Sequence, residues 1–204
     1  MKALIVLICL LPPIGFAQTS PANWTGKYAP CNRHSDLLSP ERMDLAVRIS
    51  TSDTVLAQQF ERALEFWTGV LDFEWHKVDS EECSIQLLDG TPSLFDWCTC
   101  MSARSQFPDQ AEFQGWIAFN PRVKLTKQEM FLDSVHEIGH LLGLAHNVNE
   151  SSVMYSSELA KSTMLNAADL DALAARHKLR PGFLEKGGMA GVRVVERRQS
   201  AARL

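Results

Sequence analysis

The chain has 204 residues, 46% of them hydrophobic and 22% charged, with 20 Lys and Arg against 24 Asp and Glu. This mildly acidic balance, together with the lack of a Gly-rich phosphate loop, argues against a nucleic-acid or nucleotide partner. The length suits one domain with a single core, and no apolar run reaches the ~20 residues that span a bilayer.

Residues 1–17 read as a targeting segment. Lys2 supplies the positive end, Ala3 to Leu11 is an unbroken apolar run, Pro12 and Pro13 break it, and Gly15-Phe16-Ala17 places small residues ahead of a cleavage expected before Gln18. The mature chain is expected on the extracellular side, secreted or periplasmic, with no membrane contact once the segment is removed. Of five cysteines, Cys9 leaves with that segment. Cys31, Cys83, Cys98 and Cys100 remain, an even number in an exported chain, so two disulfides are expected. Three pairings are open. Cys98 and Cys100 are too close for an easy bridge to each other, so Cys31 and Cys83 are each expected to bond one of them.

Residues 18–42 form a short N-terminal segment. Met43 to Ile49 then alternates weakly and predicts a first strand. Ser52, Asp53 and Thr54 offer N-caps for a helix from Val55 to Val70, whose apolar face is Leu56, Phe60, Ala63, Trp67 and Leu71. Phe73 to Val78 and Ser84 to Leu88 read as two further strands, the second ended by Asp89-Gly90-Thr91-Pro92. Ser93 to Gln114 reads as irregular, and Gly115 to Pro121 holds a short strand. A helix is expected from Lys127 or Gln128 to Gly143. Asn166 caps a last helix ending near His177, with Asp169 and Asp171 early and Lys178 late, as the helix dipole prefers. Residues 181–204 read as a flexible basic tail. By itself this order supports a mixed α/β domain over residues 43–180.

The helix from Lys127 carries the chemistry. His136-Glu137-Ile138-Gly139-His140-Leu141-Leu142-Gly143-Leu144-Ala145-His146 reads H-E-x-x-H-x-x-G-x-x-H, a pattern that chance places in roughly one of several million windows. His136 and His140 lie one turn apart on one face and can grip one ion together. Glu137, offset by one residue, suits a general base acting on a metal-activated water. Gly143 lets the backbone leave the helix, which brings His146 in as third ligand. Three protein ligands leave a fourth position open, the mark of a catalytic rather than a structural zinc.

The extended motif resembles that of the metzincin zinc endopeptidases. Eight residues after His146, Ser152-Val153-Met154-Tyr155 resembles the Met-turn, whose methionine forms an apolar floor beneath the metal. Tyr directly after Met154 makes the matrixins, the matrix metalloproteinase-like group, the closest match. Astacin-like and serralysin-like members place a tyrosine ligand where this chain has Ser156. Matrixins typically carry Ser after the third histidine, and this chain has Asn147.

The resemblance covers about Asp44 to Lys178. It implies an α/β (α+β) zincin catalytic domain: a small twisted mixed sheet, two long helices, a Met-turn and a C-terminal helix. It implies one catalytic Zn2+ held by His136, His140 and His146, with Glu137 as general base in peptide-bond hydrolysis, and a monomer is expected. The protein or peptide substrate would lie extended along an edge strand within Leu94 to Phe107, with Ser157 to Leu165 walling the main side-chain pocket. No His-x-Asp motif for the family's second zinc is found. Bound Ca2+ is common in relatives, and Asp89, Asp96, Asp109 and Glu112 are oxygen donors in the right region, although solvated carboxylates are the plainer reading. A matrixin propeptide cysteine can cap the zinc, but Pro30-Cys31-Asn32-Arg33 departs from that switch, in which Arg precedes the Cys and Gly follows it. His34, His76 and His177 lack partners at ligand spacing. Asn23 and Asn149 head glycosylation acceptor triplets. The competing reading is a catalytically silent, zinc-containing module that binds peptides without cutting them. A zinc hydrolase acting on another bond is a third.

Overall fold

Five strands and three helices build the domain in a computed structural model, which describes residues 43–80, 84–96, 100–106, 115–155, 164–175 and 177–183. In chain order these are β1 (Met43–Ile49), α1 (Thr54–Val70), β2 (Phe73–Lys77), β3 (Ile85–Leu88), a 3-10 turn (Pro92–Phe95), β4 (Ala103–Gln106), β5 (Gly115–Phe119), α2 (Lys127–Leu141) and α3 (Ala167–Ala174). The sheet order is β2-β1-β3-β5-β4. The first three pairings are parallel, and β4 alone runs antiparallel, on the β5 edge. The mixed sheet with two long helices and a short C-terminal one is the α/β class that the sequence implies.

The helix starts follow from their caps. Asp53 Oδ1 accepts from the N–H groups of Val55 and Leu56 at 2.8 and 3.0 Å, choosing among the three candidate caps of α1. Thr126 and Glu129 form a capping box at α2, in which the Thr126 N–H reaches the Glu129 carboxylate at 2.6 Å. Helix α1 then presents Leu56, Phe60, Ala63, Leu64 and Trp67 to a core shared with the sheet and with Phe131, Val135 and Ile138 of α2. Trp67 is fully buried and its Nε1 donates to the Val135 carbonyl at 3.0 Å. That hydrogen bond satisfies the buried indole N–H and docks the long helix against the one that carries the histidines.

Two expectations are corrected. The stretch from Ser93 to Gln114 is not irregular throughout: it contains the end of the 3-10 turn and β4. Ala, Arg, Ser and Gln have little strand propensity, so β4 left no sequence signal. It forms because Ala103 and Ser105 bury one face while β5 supplies the ladder. The last helix stops at Ala174, short of His177, and the His177 N–H closes onto the Leu173 carbonyl at 2.7 Å. The targeting segment, residues 18–42, the basic tail, Cys31, Cys83 and Cys98 lie outside the described residues. Cys100 is disulfide-bonded, to a residue that is also outside them.

Trp67→Ala removes both the packing and the hydrogen bond that hold α1 to α2. It is expected to cost about 3–5 kcal/mol, read as a lower urea midpoint with an unchanged slope. A loss below about 1 kcal/mol would show that the two helices are held by other contacts.

Candidate metal centre

Helix α2 brings His136 and His140 to one face, as the 3.6-residue period requires, and the chain turns at Leu142 and Gly143 to return His146 beside them. Gly143 has φ 91°, a left-handed conformation that a side chain would resist. The Nε2 atoms then converge: His140 Nε2 lies 3.1 Å from His136 Nε2 and 3.1 Å from His146 Nε2. A tetrahedral ion with Zn–N bonds of about 2.0–2.1 Å separates its ligand nitrogens by about 3.3 Å. Both distances from His140 are therefore close to the spacing that such an ion needs.

The opposite ring nitrogens show the same fit. His136 Nδ1 donates to the Val153 carbonyl at 2.7 Å and His140 Nδ1 to the Leu144 carbonyl at 2.8 Å. A proton on each Nδ1 leaves each Nε2 a lone pair, which is the tautomer that a metal takes. Charge points the same way. Burial, with repulsion from His136 and His146, holds His140 well below the usual imidazole range. His146 keeps an outer edge in solvent, but loss of water around the ring, with repulsion from His136, lowers it to about 4. His140 and His146, held neutral, are donors without a proton to lose. Among the described residues this is the one cluster of three or more His, Cys, Asp or Glu able to hold an ion.

The Met-turn forms the other wall. Met154 is fully buried, and its Sδ lies 2.6 Å from where a Cβ on Gly139 would stand, with Trp67 Cζ2 at 3.1 Å from the same point. Gly139 is thus what lets the sulfur and the indole approach the helix between its two histidines. The Asn147 N–H donates to the Met154 carbonyl at 2.8 Å, so the residue after the third histidine is bonded to the same turn.

Glu137 sits one residue from His136 and is buried. Burial pushes its carboxyl up. His136, the Ser105 hydroxyl and N–H on β4, and the Arg104 guanidinium pull it back.

Four residues near this site had no role at it in the sequence reading. Asp169 does more than face a helix dipole. It is buried, and Oδ1 accepts from Asn147 Nδ2 at 2.7 Å while Oδ2 accepts from Ser152 Oγ at 2.7 Å and from the Asn166 N–H at 2.9 Å. One carboxylate thus ties the start of α3 to the chain beyond His146 and to the Met-turn. The Asn166 and Asp169 spacing of a capping box was the available signal. His177 bonds the Leu142 carbonyl through Nε2 at 2.8 Å, fixing the end of α2. Asp133, four residues before Glu137 on the same face, is a buried acid, which its helical period made visible. Burial pushes it to about 7, with the Ser102 hydroxyl lowering it and the charges of Glu137 and Glu129 raising it, and Oδ2 has no hydrogen-bond partner among the described residues. Ser105 gave no signal at all.

The candidate calcium donors that are described already have partners: Asp89 accepts from Thr51 and Ser52, and Asp96 pairs with Arg122 at 3.2 Å. Asp109 and Glu112 lie outside the described residues, as do Ser156 and most of the pocket loop.

The sequence matches the family model for the matrixins, Peptidase_M10, over residues 42–177. The chain belongs to the matrixin family. It is 31% identical over 105 residues to macrophage metalloelastase of Rattus norvegicus, covering 47% of this chain and 22% of that one. It is 29% identical over 147 residues to metalloendoproteinase 1 of Glycine max, covering 63% and 48%. It is 32% identical over 113 residues to metalloendoproteinase 1-MMP of Arabidopsis thaliana, covering 48% and 30%. The matched stretch spans half or less of the length of these curated relatives.

Asp169→Ala would release Asn147 and Ser152 together. Zinc affinity, measured by competition with a chromogenic chelator, is expected to fall about 10–100-fold, and unchanged affinity would mean that the Met-turn holds without α3. For Asp133 the sign follows from a folded value of about 7 against roughly 3.9 unfolded. The folded state binds the extra proton, so parental stability falls as pH rises through that window. Asp133→Asn keeps the shape without the charge. In urea melts its stability relative to the parent should increase by a few kcal/mol between about pH 4 and 7, and a constant difference would contradict the assignment.

Proposed function

We propose that the chain is an exported zinc-dependent endopeptidase. The observation that carries this reading is the convergence of three metal-ready Nε2 atoms beside a buried carboxylate on the same helix. His136, His140 and His146 would hold the ion, with Met154 as floor and Gly143 as the helix-ending turn. When bound, zinc acidifies a water toward pKa ~7 and polarises the scissile carbonyl. Glu137 takes the water's proton at a carboxylate oxygen and passes it to the leaving amine nitrogen. Its burial raises its proton affinity, which suits a group that must accept and then release a proton near neutral pH.

The substrate is a protein or peptide bound extended along β4, the antiparallel edge strand, with backbone groups supplying much of the affinity. The domain limits, export through residues 1–17, two disulfides and a monomeric state belong to the same reading. No helix among the described residues is long and apolar enough to cross a membrane. The names of the relatives, a metalloelastase and two metalloendoproteinases, support peptide-bond hydrolysis. A silent peptide-binding module is disfavoured because Glu137 and all three histidines are in place.

The test compares the zinc-loaded chain with Glu137→Ala at equal zinc content on an unfolded substrate such as casein. Parental cleavage reduced by about 10²–10⁴-fold in the variant is expected. A zinc-loaded parent no more active than the variant would favour the binding module.

A further inference from the structure

The three histidines are not held alike. His136 and His140 are each anchored through Nδ1 to a backbone carbonyl. His146 is exposed, and among the described residues its Nδ1 has no hydrogen-bond partner. Its ring is placed by the chain on either side. Two residues before it, the Leu144 N–H donates to the Gly139 carbonyl at 2.9 Å, which ties that end to α2. Directly after it stands Asn147, held by three hydrogen bonds. The Asn147 N–H donates to the Met154 carbonyl at 2.8 Å. Its Nδ2 donates to Asp169 Oδ1 at 2.7 Å, and its Oδ1 accepts from the Asn149 N–H at 2.9 Å. A carboxylate only accepts and a backbone N–H only donates, so these partners fix which way the amide faces and require one side chain that does both. A serine hydroxyl, one bond nearer the main chain, would have to serve both partners with a single oxygen. An aspartate would set a second carboxylate against Asp169. Asp169 Oδ2 meanwhile accepts from Ser152 Oγ at 2.7 Å, and that oxygen accepts from the Met154 N–H at 3.0 Å. Asn147 is thus joined to the Met-turn twice, directly and through α3.

We propose that Asn147 is the positioning residue for His146, supplying through its side chain the anchor that the other two ligands have at Nδ1. Bonded to Asp169 and Asn149, it fixes the main chain one residue past the ligand and so keeps the exposed ring turned toward His136 and His140. Without those bonds the third ligand spends part of its time away from the site, and affinity falls by the fraction of chains that are ready to bind. The proposal rests on the zinc reading of the three histidines and names the residue that completes the set in this chain.

Zinc affinity of the full chain, measured by competition with a chromogenic chelator, tests it through a cycle of substitutions. Asn147→Ala is expected to weaken zinc about tenfold. In a His146→Ala background, where no third ligand is left to place, the same substitution is expected to change the residual affinity by less than about twofold. Asn147→Ser, the gentler variant, gives up one of two side-chain hydrogen bonds and is expected to weaken zinc about threefold. Parental affinity in both single variants would overturn the proposal. So would an equal loss with and without His146, because Asn147 would then act on the whole turn rather than on the ligand. A parent that takes up no zinc would instead sink the metal reading, and the positioning role with it.

Discussion

Three converging imidazole nitrogens, those of His136 and His146 each 3.1 Å from that of His140, are the constraint on which the rest of the structure depends. Crowded imidazole rings gain little from such closeness until an ion sits between them. The protein therefore fixes each by other means. His136 and His140 are anchored through Nδ1 to backbone carbonyls of Val153 and Leu144. Those carbonyls belong to the Met-turn and to the turn that follows α2, so the geometry of the site is the geometry of two turns pressed against one helix. Gly143 and Gly139 make it possible, one by its left-handed backbone and the other by the space it leaves to Met154 and Trp67.

Support for this arrangement comes from well outside it. Trp67 docks α1 beneath the histidine helix, His177 takes the carbonyl at its end, and Asp169 on α3 bonds both the chain after His146 and the Met-turn. The Asn147 side chain, unusual for a matrixin at that position, serves here as the donor to Asp169. On the other side of α2 lie two buried acids, Asp133 and Glu137; Ser102, just before β4, lowers the proton affinity of the first, and Ser105, on β4, that of the second. Asp133, its proton affinity raised by burial and by its neighbour, limits how much negative charge that side carries near neutral pH.

The legible part of this protein was the local part. The histidine spacing, the helix-ending glycine, and the bounds of β1 and α1 are each decided within a few residues, and each appears where the sequence placed it. β4 was illegible because its small polar residues become a strand only when β5 pairs with them. Asp169 looked like a helix-dipole residue because its partners are 22 and 17 positions away in sequence. Ser105 lies still further from Glu137 in sequence, and nothing in a serine on an edge strand announces a buried carboxylate on another element. The three histidines and the buried glutamate could thus be read within one short motif, while the residues packed around them became visible only in the fold.

X-ray absorption at the zinc edge, on the chain loaded to one equivalent, tests the central claim most directly. Three imidazole nitrogens and one light oxygen at about 2.0–2.1 Å are predicted, the set that a three-histidine site with an open fourth position gives. A sulfur scatterer at about 2.3 Å, or a shell with fewer than three imidazoles, would contradict it.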